Sequence, residues 1–210
     1  MSKWIINTER YLTETEQKNN AAIICSYFRE KGWTFNAIAG MFGCMEGESK
    51  FNPQQWQSFK YGNLSGGYGL TQWTPATKYI NWAGSDYETN HNKQLERIQY
   101  EMTIAPSSVG QYFPTTSYPD TRTEFTVSTK YPSYLACAWA WNYERSNKVI
   151  NGTEAVKEAL KKEIGERADK WYEYIRSITL PEVPDTSKPT PPADLNLPLW
   201  LLFKFRNRRF

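Results

Sequence analysis

The sequence predicts a mainly α-helical protein of the α+β class, with a helical domain, a small β-rich tongue, a linker and a short tail. Three observations lead to this prediction. Apolar residues recur at steps of three and four in several segments, glycines and tyrosines crowd residues 60–73, and five prolines fall within residues 181–192. The predicted boundaries are 1–180 for the domain, 181–194 for the proline-rich linker and 195–210 for the tail.

The first two helices have clear start and stop signals. Thr13 and Glu16 have the spacing of a capping box, and Gly32 is placed to end the helix that follows. The second helix is predicted to begin near Thr34 and to stop by Asn52-Pro53, because a residue before proline is disfavoured in helical backbone. Its apolar stripe consists of Phe35, Ile38, Met41, Phe42 and Met45.

The rest of the domain is predicted to be mostly helical as well. Residues 60–73, which we call the tongue, combine four glycines with two tyrosines, and this composition favours short strands and tight turns. The elements predicted after the tongue are a helix that Thr74-Pro75 opens and Gly84 closes, a helix over 88–103, a loop over 104–121, a buried helix over 133–144 and a long helix capped by Thr153.

Composition excludes several classes of protein. The chain has 210 residues, a net charge of +3 and 16% aromatic residues, which is typical of a folded protein able to stack flat polar ligands such as sugars or bases. Because 25 basic residues are balanced by 22 acidic ones, a dedicated nucleic-acid-binding protein is not expected. No stretch approaches the ~20 apolar residues of a membrane span, and no signal peptide is expected at the start.

Cysteine and histidine do not predict a metal, cofactor or thiol-protease site. Cys25, Cys44 and Cys137 lack the spacing of metal ligands, and we expect reduced, buried thiols of a protein made in a cytosol. His91 is the only histidine and lies in a polar run that reads as helix surface. A Cys–His peptidase or a zinc amidase is therefore disfavoured.

Glutamates at the end of the second helix are the first candidates for chemistry. Glu48 lies at the edge of the apolar stripe in the last turn, where apolar neighbours and the negative helix end both raise the pKa of a carboxyl group. A general acid that works near neutral pH needs such a raised pKa. Glu46 lies at the opposite edge of the stripe, so helical phase alone does not choose between the two.

Two ordered motifs carry a resemblance to a known family. They read Gly43-x-Met45-x-x-Glu48-Ser49-x-Phe51-Asn52-Pro53 and Gly67-Tyr68-Gly69-Leu70-Thr71-Gln72-Trp73-Thr74-Pro75. Together they resemble the phage tail lysozyme family of virion-associated murein hydrolases, and they are similar to motifs of goose-type lysozymes and soluble lytic transglycosylases. The resemblance covers residues of about 15–145 and is weaker around 138–145. Cys44 departs from the Asn that relatives often have after the helix glycine.

The resemblance implies a lysozyme-like fold and a peptidoglycan substrate. It makes Glu48 the catalytic acid and Glu46 a bystander, and it implies cleavage between N-acetylmuramic acid and N-acetylglucosamine by a lysozyme or a lytic transglycosylase. The substrate-binding residues expected on this basis are Ser49, Tyr68, Gly69, Gln72, Trp73 and Tyr143. Gln72 is suited to hydrogen-bond an N-acetyl group or to position a water.

A second catalytic carboxylate is not evident in the sequence. Between Glu48 and Tyr87 the only carboxylate is Asp86, well beyond the tongue. Three alternatives stay open: an acid from further along the chain, a water held by polar groups of the tongue, or attack by the 6-hydroxyl of the substrate itself. Glu144 is the first candidate for a distant acid, and an ion pair with Arg145 or another base is the structural interpretation of the same residue.

Location and partners follow from the resemblance and from the tail. We expect a protein of the phage virion, or of the host cytoplasm before release. The apolar and basic tail over 195–210 is predicted either to dock onto a phage tail protein or to meet anionic lipid through Lys204, Arg206, Arg208 and Arg209. The alternative function is a non-catalytic glycan-binding or structural tail component that keeps a lysozyme-like shape.

Overall fold

Eight α-helices make up most of the part of the chain that the structure describes. The structure is a computed structural model, and it describes residues 3–103 and 110–180. The helices are α1 (Glu14–Glu30), α2 (Phe35–Ser49), α3 (Thr77–Ala83), α4 (Asn92–Thr103), α5 (Arg122–Thr126), α6 (Pro132–Trp139), α7 (Asn147–Asn151) and α8 (Glu154–Ser177). This confirms the mainly α class, whereas the predicted linker and tail lie outside the described residues.

Most of the predicted helix signals are found. Thr13 and Glu16 form the capping box of α1, Gly32 follows the end of that helix, and the hydroxyl of Thr34 accepts a hydrogen bond from the first turn of α2. Thr153 caps α8 in the same way. The helix predicted over 88–103 begins only at Asn92, and the short helices α5 and α7 have no predicted counterpart.

Helix α2 lies at the centre of the fold, packed against α6 and α8. Two of its glycines allow this close approach. A Cβ atom on Gly43 would lie 2.4 Å from the carbonyl oxygen of Ile164 in α8, and one on Gly40 would lie 2.6 Å from the Cβ atom of Leu135 in α6. Because neither neighbour is the flexible end of a side chain, larger residues at these positions would push the helices apart.

The end of α2 is fixed by its connection to the tongue. The helix stops at Ser49, before the predicted limit at Asn52-Pro53, because Lys50 and Phe51 both adopt positive φ. The Ser49 hydroxyl is buried and donates a hydrogen bond of 2.9 Å to the carbonyl oxygen of Leu70. The last turn of α2 is thereby held against the tongue.

The β-rich character predicted for the tongue is not found. Two isolated antiparallel bridges are present around it, Trp56 with Tyr68 and Tyr68 with Trp73, and turns make up most of the rest. Gly62, Gly69 and Gln72 adopt positive φ, which interrupts any extended run of backbone. The tongue is therefore a series of turns that the buried ring of Tyr68 anchors.

The helix predicted over 133–144 changes its winding within this range. Helix α6 ends at Trp139 and continues as a π-helical turn, Ala140–Glu144, in which the Arg145 N–H donates to the carbonyl oxygen of Ala140 at 2.8 Å. Such wider turns often occur at functional sites, since they change the direction of the side chains that follow. Here the π turn carries Tyr143 and Glu144.

The three cysteines are free and buried, as predicted. They are Cys25, Cys44 and Cys137, and burial raises the pKa of the Cys25 thiol to about 12. Among residues 3–103 and 110–180, no helix is both long enough and apolar enough to cross a bilayer.

Candidate active site

A cleft of about 820 Å³ runs between the end of α2, the tongue and the π turn. Its walls are mostly polar and include several glutamines, with Gln55, Gln57 and Gln72 on the side of the tongue. Glu48 and Glu144 are the carboxyl-bearing residues of its lining in the described part of the chain. The last turn of α2 and the π turn thus bring both predicted acids to one wall.

Glu48 and Glu144 form a hydrogen-bonded pair of carboxyl groups. Burial raises the pKa of both, and the neighbouring Glu48 charge raises the pKa of Glu144 further. The indole N–H of Trp139 also donates to Glu144 at 3.2 Å. Since two carboxylates in contact repel each other, the pair retains one proton to a higher pH than an isolated glutamate would.

Glu46 lies in a different environment on the same helix turn. Its carboxylate accepts a hydrogen bond of 2.6 Å from the Trp171 indole on α8, and the ammonium groups of Lys50 and Lys170 lie 3.9 and 3.7 Å away. It is buried and lines neither the cleft nor its neighbouring cavity. Of the two glutamates that helical phase left open, Glu48 lines the cleft, whereas Glu46 is held against α8.

The position of Glu144 does not fit the predicted role of a second acid across the scissile bond. Carboxyl groups that act from opposite sides of a sugar ring are at least ~5 Å apart, whereas this pair is in hydrogen-bond contact. An ion pair with Arg145 is not observed either, because the Arg145 guanidinium lies over the Phe113 ring at 4.6 Å. Asp86 is exposed and faces Lys93 at 3.4 Å.

Trp73 and Tyr143 line the cleft as expected, but with little exposed surface. Both are held from behind by Glu101 of α4, which accepts hydrogen bonds from the Trp73 indole at 3.3 Å and from the Tyr143 hydroxyl. Arg97 donates to the same carboxylate at 2.7 Å. This buried ion pair fixes two aromatic walls of the cleft from one helix.

Gln72 also lines the cleft, and its amide is oriented by the backbone. The side-chain NH₂ group donates to the carbonyl oxygens of Gln55 and Gly69 at 2.8 and 3.0 Å. Because both donor hydrogens have partners, the side-chain oxygen remains as the acceptor available to a ligand. An N–H group of an N-acetyl sugar matches this acceptor.

Three predicted binding residues lie behind the cleft and not on its surface. Tyr68 is fully buried, with its ring against Trp56 and Tyr79, so that neither face is open to a sugar. Ser49 is fully buried in its bond to the tongue. Gly69 packs against α4, where a Cβ atom would lie 2.5 Å from the side-chain oxygen of Gln94. Their motif positions reflect packing of the tongue, and direct substrate contact is not supported for them.

Gln55 and Glu101 are site residues that the sequence reasoning missed. The side-chain oxygen of Gln55 is buried at the cleft without a donor among the described residues, and a buried acceptor of this kind is a candidate ligand contact. Glu101 stands four residues after Arg97 in a predicted helix, and this spacing suggests an ion pair but not its burial. No sequence pattern points to Gln55.

The single histidine of the chain is partly buried and does not lie on a helix surface as predicted. His91 precedes α4, its ring makes an edge contact with Trp4 at 6.1 Å, and burial lowers its pKa. Within residues 3–103 and 110–180, no group of three His, Cys, Asp or Glu side chains is placed to hold a metal ion.

Comparison with known proteins gives two findings. Residues 19–175 match the phage tail lysozyme family, which is about three quarters of the chain. Morphogenesis protein 1 of Bacillus phage B103 is 42% identical over 150 residues, a match that covers 69% of this chain and 40% of the relative. The chain therefore spans about two fifths of the length of that relative. The family match includes the end of α2, the tongue and the π turn. Because it covers well over half of the chain, the chain belongs to the phage tail lysozyme family.

Proposed function

We propose that the chain is a glycosidase that cleaves the glycan strand of bacterial peptidoglycan between N-acetylmuramic acid and N-acetylglucosamine. The observation that carries the proposal is the carboxyl pair at the wall of the cleft, in which burial raises the pKa of both groups and of which Glu48 is the acid that the motif resemblance implies. The size of the cleft and its amide-rich wall support a substrate of several N-acetylated sugars.

Glu48 is the general acid in this proposal. Its proton passes to the glycosidic oxygen while the bond from that oxygen to the anomeric carbon breaks, and the bonding electrons leave with the oxygen. Glu144 is a positioning residue: it hydrogen-bonds Glu48, while burial raises the pKa of both groups, so that the pair retains one proton to a higher pH than an isolated glutamate would. Trp139 holds Glu144 in turn.

The group that attacks the anomeric carbon comes from outside the carboxyl pair. Because the two carboxyl groups of the cleft are in contact, neither is placed to act from the opposite face of the sugar ring. Two reactions fit this arrangement. Either a water adds to the anomeric carbon and returns a proton to the Glu48 carboxylate, or the 6-hydroxyl of the same muramic residue adds there and returns its proton.

Digestion of Gram-positive peptidoglycan, with mass spectrometry of the soluble products, tests the proposal. Reducing ends that carry an added water identify a lysozyme, and products lighter by one water identify the 1,6-anhydro ends of a transglycosylase. Replacement Glu48→Gln is expected to abolish both kinds of product while the circular-dichroism spectrum stays unchanged. Release of products by the Glu48→Gln protein would contradict the proposal.

A structural role in the phage particle is the second candidate function. The name of the Bacillus phage B103 relative, a morphogenesis protein, favours it. If no wall tested yields soluble products from the wild-type chain, this function replaces the first one.

A further inference from the structure

A second cavity, of about 370 Å³, adjoins the cleft at the carboxyl pair. Glu48, Glu144, Ser146 and Asn147 line both spaces. The tongue contributes to the cleft alone, whereas α8 contributes to the second cavity alone. The carboxyl pair therefore lies where the cleft and the second cavity adjoin. A group attached to a sugar in the cleft could extend past the carboxyl pair into the second cavity, towards α8.

The second cavity combines an apolar lining with cationic groups. Ala140, Leu160 and Ile164 provide apolar surface, and Lys148 and Arg167 provide positive charge. Both line the cavity together with Glu48, and their charges lower the pKa of that carboxyl against the effect of burial.

The two cations differ in how they are neutralised. Arg167 is paired with Glu163, the other acidic residue of the cavity besides the carboxyl pair. Lys148 is exposed on α7, and no carboxylate of the described residues lies within 4.0 Å of its ammonium group. Lys148 is therefore the cation that is free to bind an anionic group entering the cavity.

The proposed substrate carries such groups at regular positions. The sugar backbone of peptidoglycan is uncharged, but each N-acetylmuramic acid bears a short peptide whose side chains and terminus include carboxylates. A small cavity that offers apolar surface from three residues and a lysine at its wall matches a short peptide that ends in a carboxylate.

We propose that the second cavity is a subsite for the stem peptide of peptidoglycan, with Lys148 binding a peptide carboxylate. This inference rests on the proposed glycosidase function and adds a substrate preference to it. A glycan strand that carries peptides would be cleaved faster than the same strand without them, because the peptide holds its muramic residue beside Glu48.

The test compares two soluble substrates free of teichoic acid: a tetrasaccharide of the two sugars with its stem peptides, and the same tetrasaccharide without them. We expect the wild-type chain to show a kcat/KM roughly tenfold higher on the peptide-bearing substrate. In Lys148→Gln this ratio should fall towards one. The ratio is the informative quantity, since any change at Glu48 affects both substrates equally.

Lys162→Gln provides the matched control, because Lys162 lies on α8, is 78% exposed and lines neither space. Its ratio should equal that of the wild type. A wild-type ratio near one, or an unchanged ratio in Lys148→Gln, would overturn the subsite while leaving the glycosidase function intact. Failure of the wild type to cleave either substrate would overturn both proposals.

Discussion

The two sides of the last turn of α2 place a carboxyl group in opposite electrostatic environments. On the α8 side, Glu46 has an indole donor from Trp171 and two ammonium groups within 4 Å. On the cleft side, Glu48 has a second carboxyl group as its neighbour, and burial raises its pKa. The two residues are separated by a single position, Gly47, which leaves room for Arg167.

This difference shows how environment assigns roles to identical side chains. The α8 side satisfies a carboxylate completely and uses it to fix the packing of two helices. The cleft side places a carboxyl group against a second one, which is unfavourable for stability and, under the proposed function, serves proton transfer. Three measurements separate these two environments, in order of decreasing expected free-energy change: the stability of a Glu46 variant, the pH profile of a Glu144 variant and the stability of a Glu48 variant.

Replacement of Glu46 by leucine should destabilise the fold without a direct effect on the cleft. The buried Trp171 N–H would lose its acceptor, at a cost of about 2 kcal/mol in the free energy of unfolding. Chemical denaturation measures this change, and Glu46→Gln is the control because the glutamine oxygen still accepts the bond. An equal loss in both variants would mean that the charge of Glu46, and not its hydrogen bond, stabilises the helix contact.

Replacement Glu144→Gln should move the pH profile of cleavage. The wild-type pair holds its last proton to a high pH because two carboxylates in contact repel each other, whereas Glu48 beside a neutral glutamine amide meets no such repulsion and loses its proton at lower pH. The alkaline limb of the kcat profile should move to lower pH, and activity at pH 8 should fall about tenfold if the pKa of Glu48 falls by about one. An unchanged limb would show that the two carboxyl groups do not share a proton.

Replacement Glu48→Gln should stabilise the fold at alkaline pH. A carboxyl group with a raised pKa binds its proton more tightly when folded, so its stabilising effect is present below the unfolded pKa of ~4.3 and is lost as pH rises through the folded pKa. Removing the ionisable group should raise the free energy of unfolding at pH 8 by about 1 kcal/mol. The gain should shrink towards pH 4, and a gain of the same size at both pH values would contradict this explanation.

Local sequence signals predict the helical scaffold well. The Thr13–Glu16 capping box, the Thr34 and Thr153 caps and Gly32 each reflect a local hydrogen bond or backbone angle, which a short stretch of sequence determines. The tongue is predicted less well. Its glycines and tyrosines signal turns, but whether turns join strands depends on the angles of single residues such as Gln72.

The candidate site can be predicted only in part, because its geometry depends on contacts between distant segments. The motif singles out Glu48, which helical phase alone does not distinguish from Glu46, and the separation of Glu144 from Glu48 along the chain gives no sign that the two touch. The π turn that carries Glu144 has no sequence pattern of its own. The prediction of Tyr68 as a sugar contact is not supported, because an exposed and a buried tyrosine look alike in sequence.

The assignment of the general acid to Glu48 is tested most directly by a comparison of Glu48→Gln with Glu46→Gln, two identical replacements in one helix turn. Cleavage of the peptide-bearing tetrasaccharide is measured for both proteins at pH 6, beside the wild type. We expect Glu48→Gln to lose activity by a factor of about 100 or more, as is usual for a general acid, and Glu46→Gln to retain most of it. Equal losses in the two variants, or a larger loss in Glu46→Gln, would contradict the assignment of the acid to the cleft side.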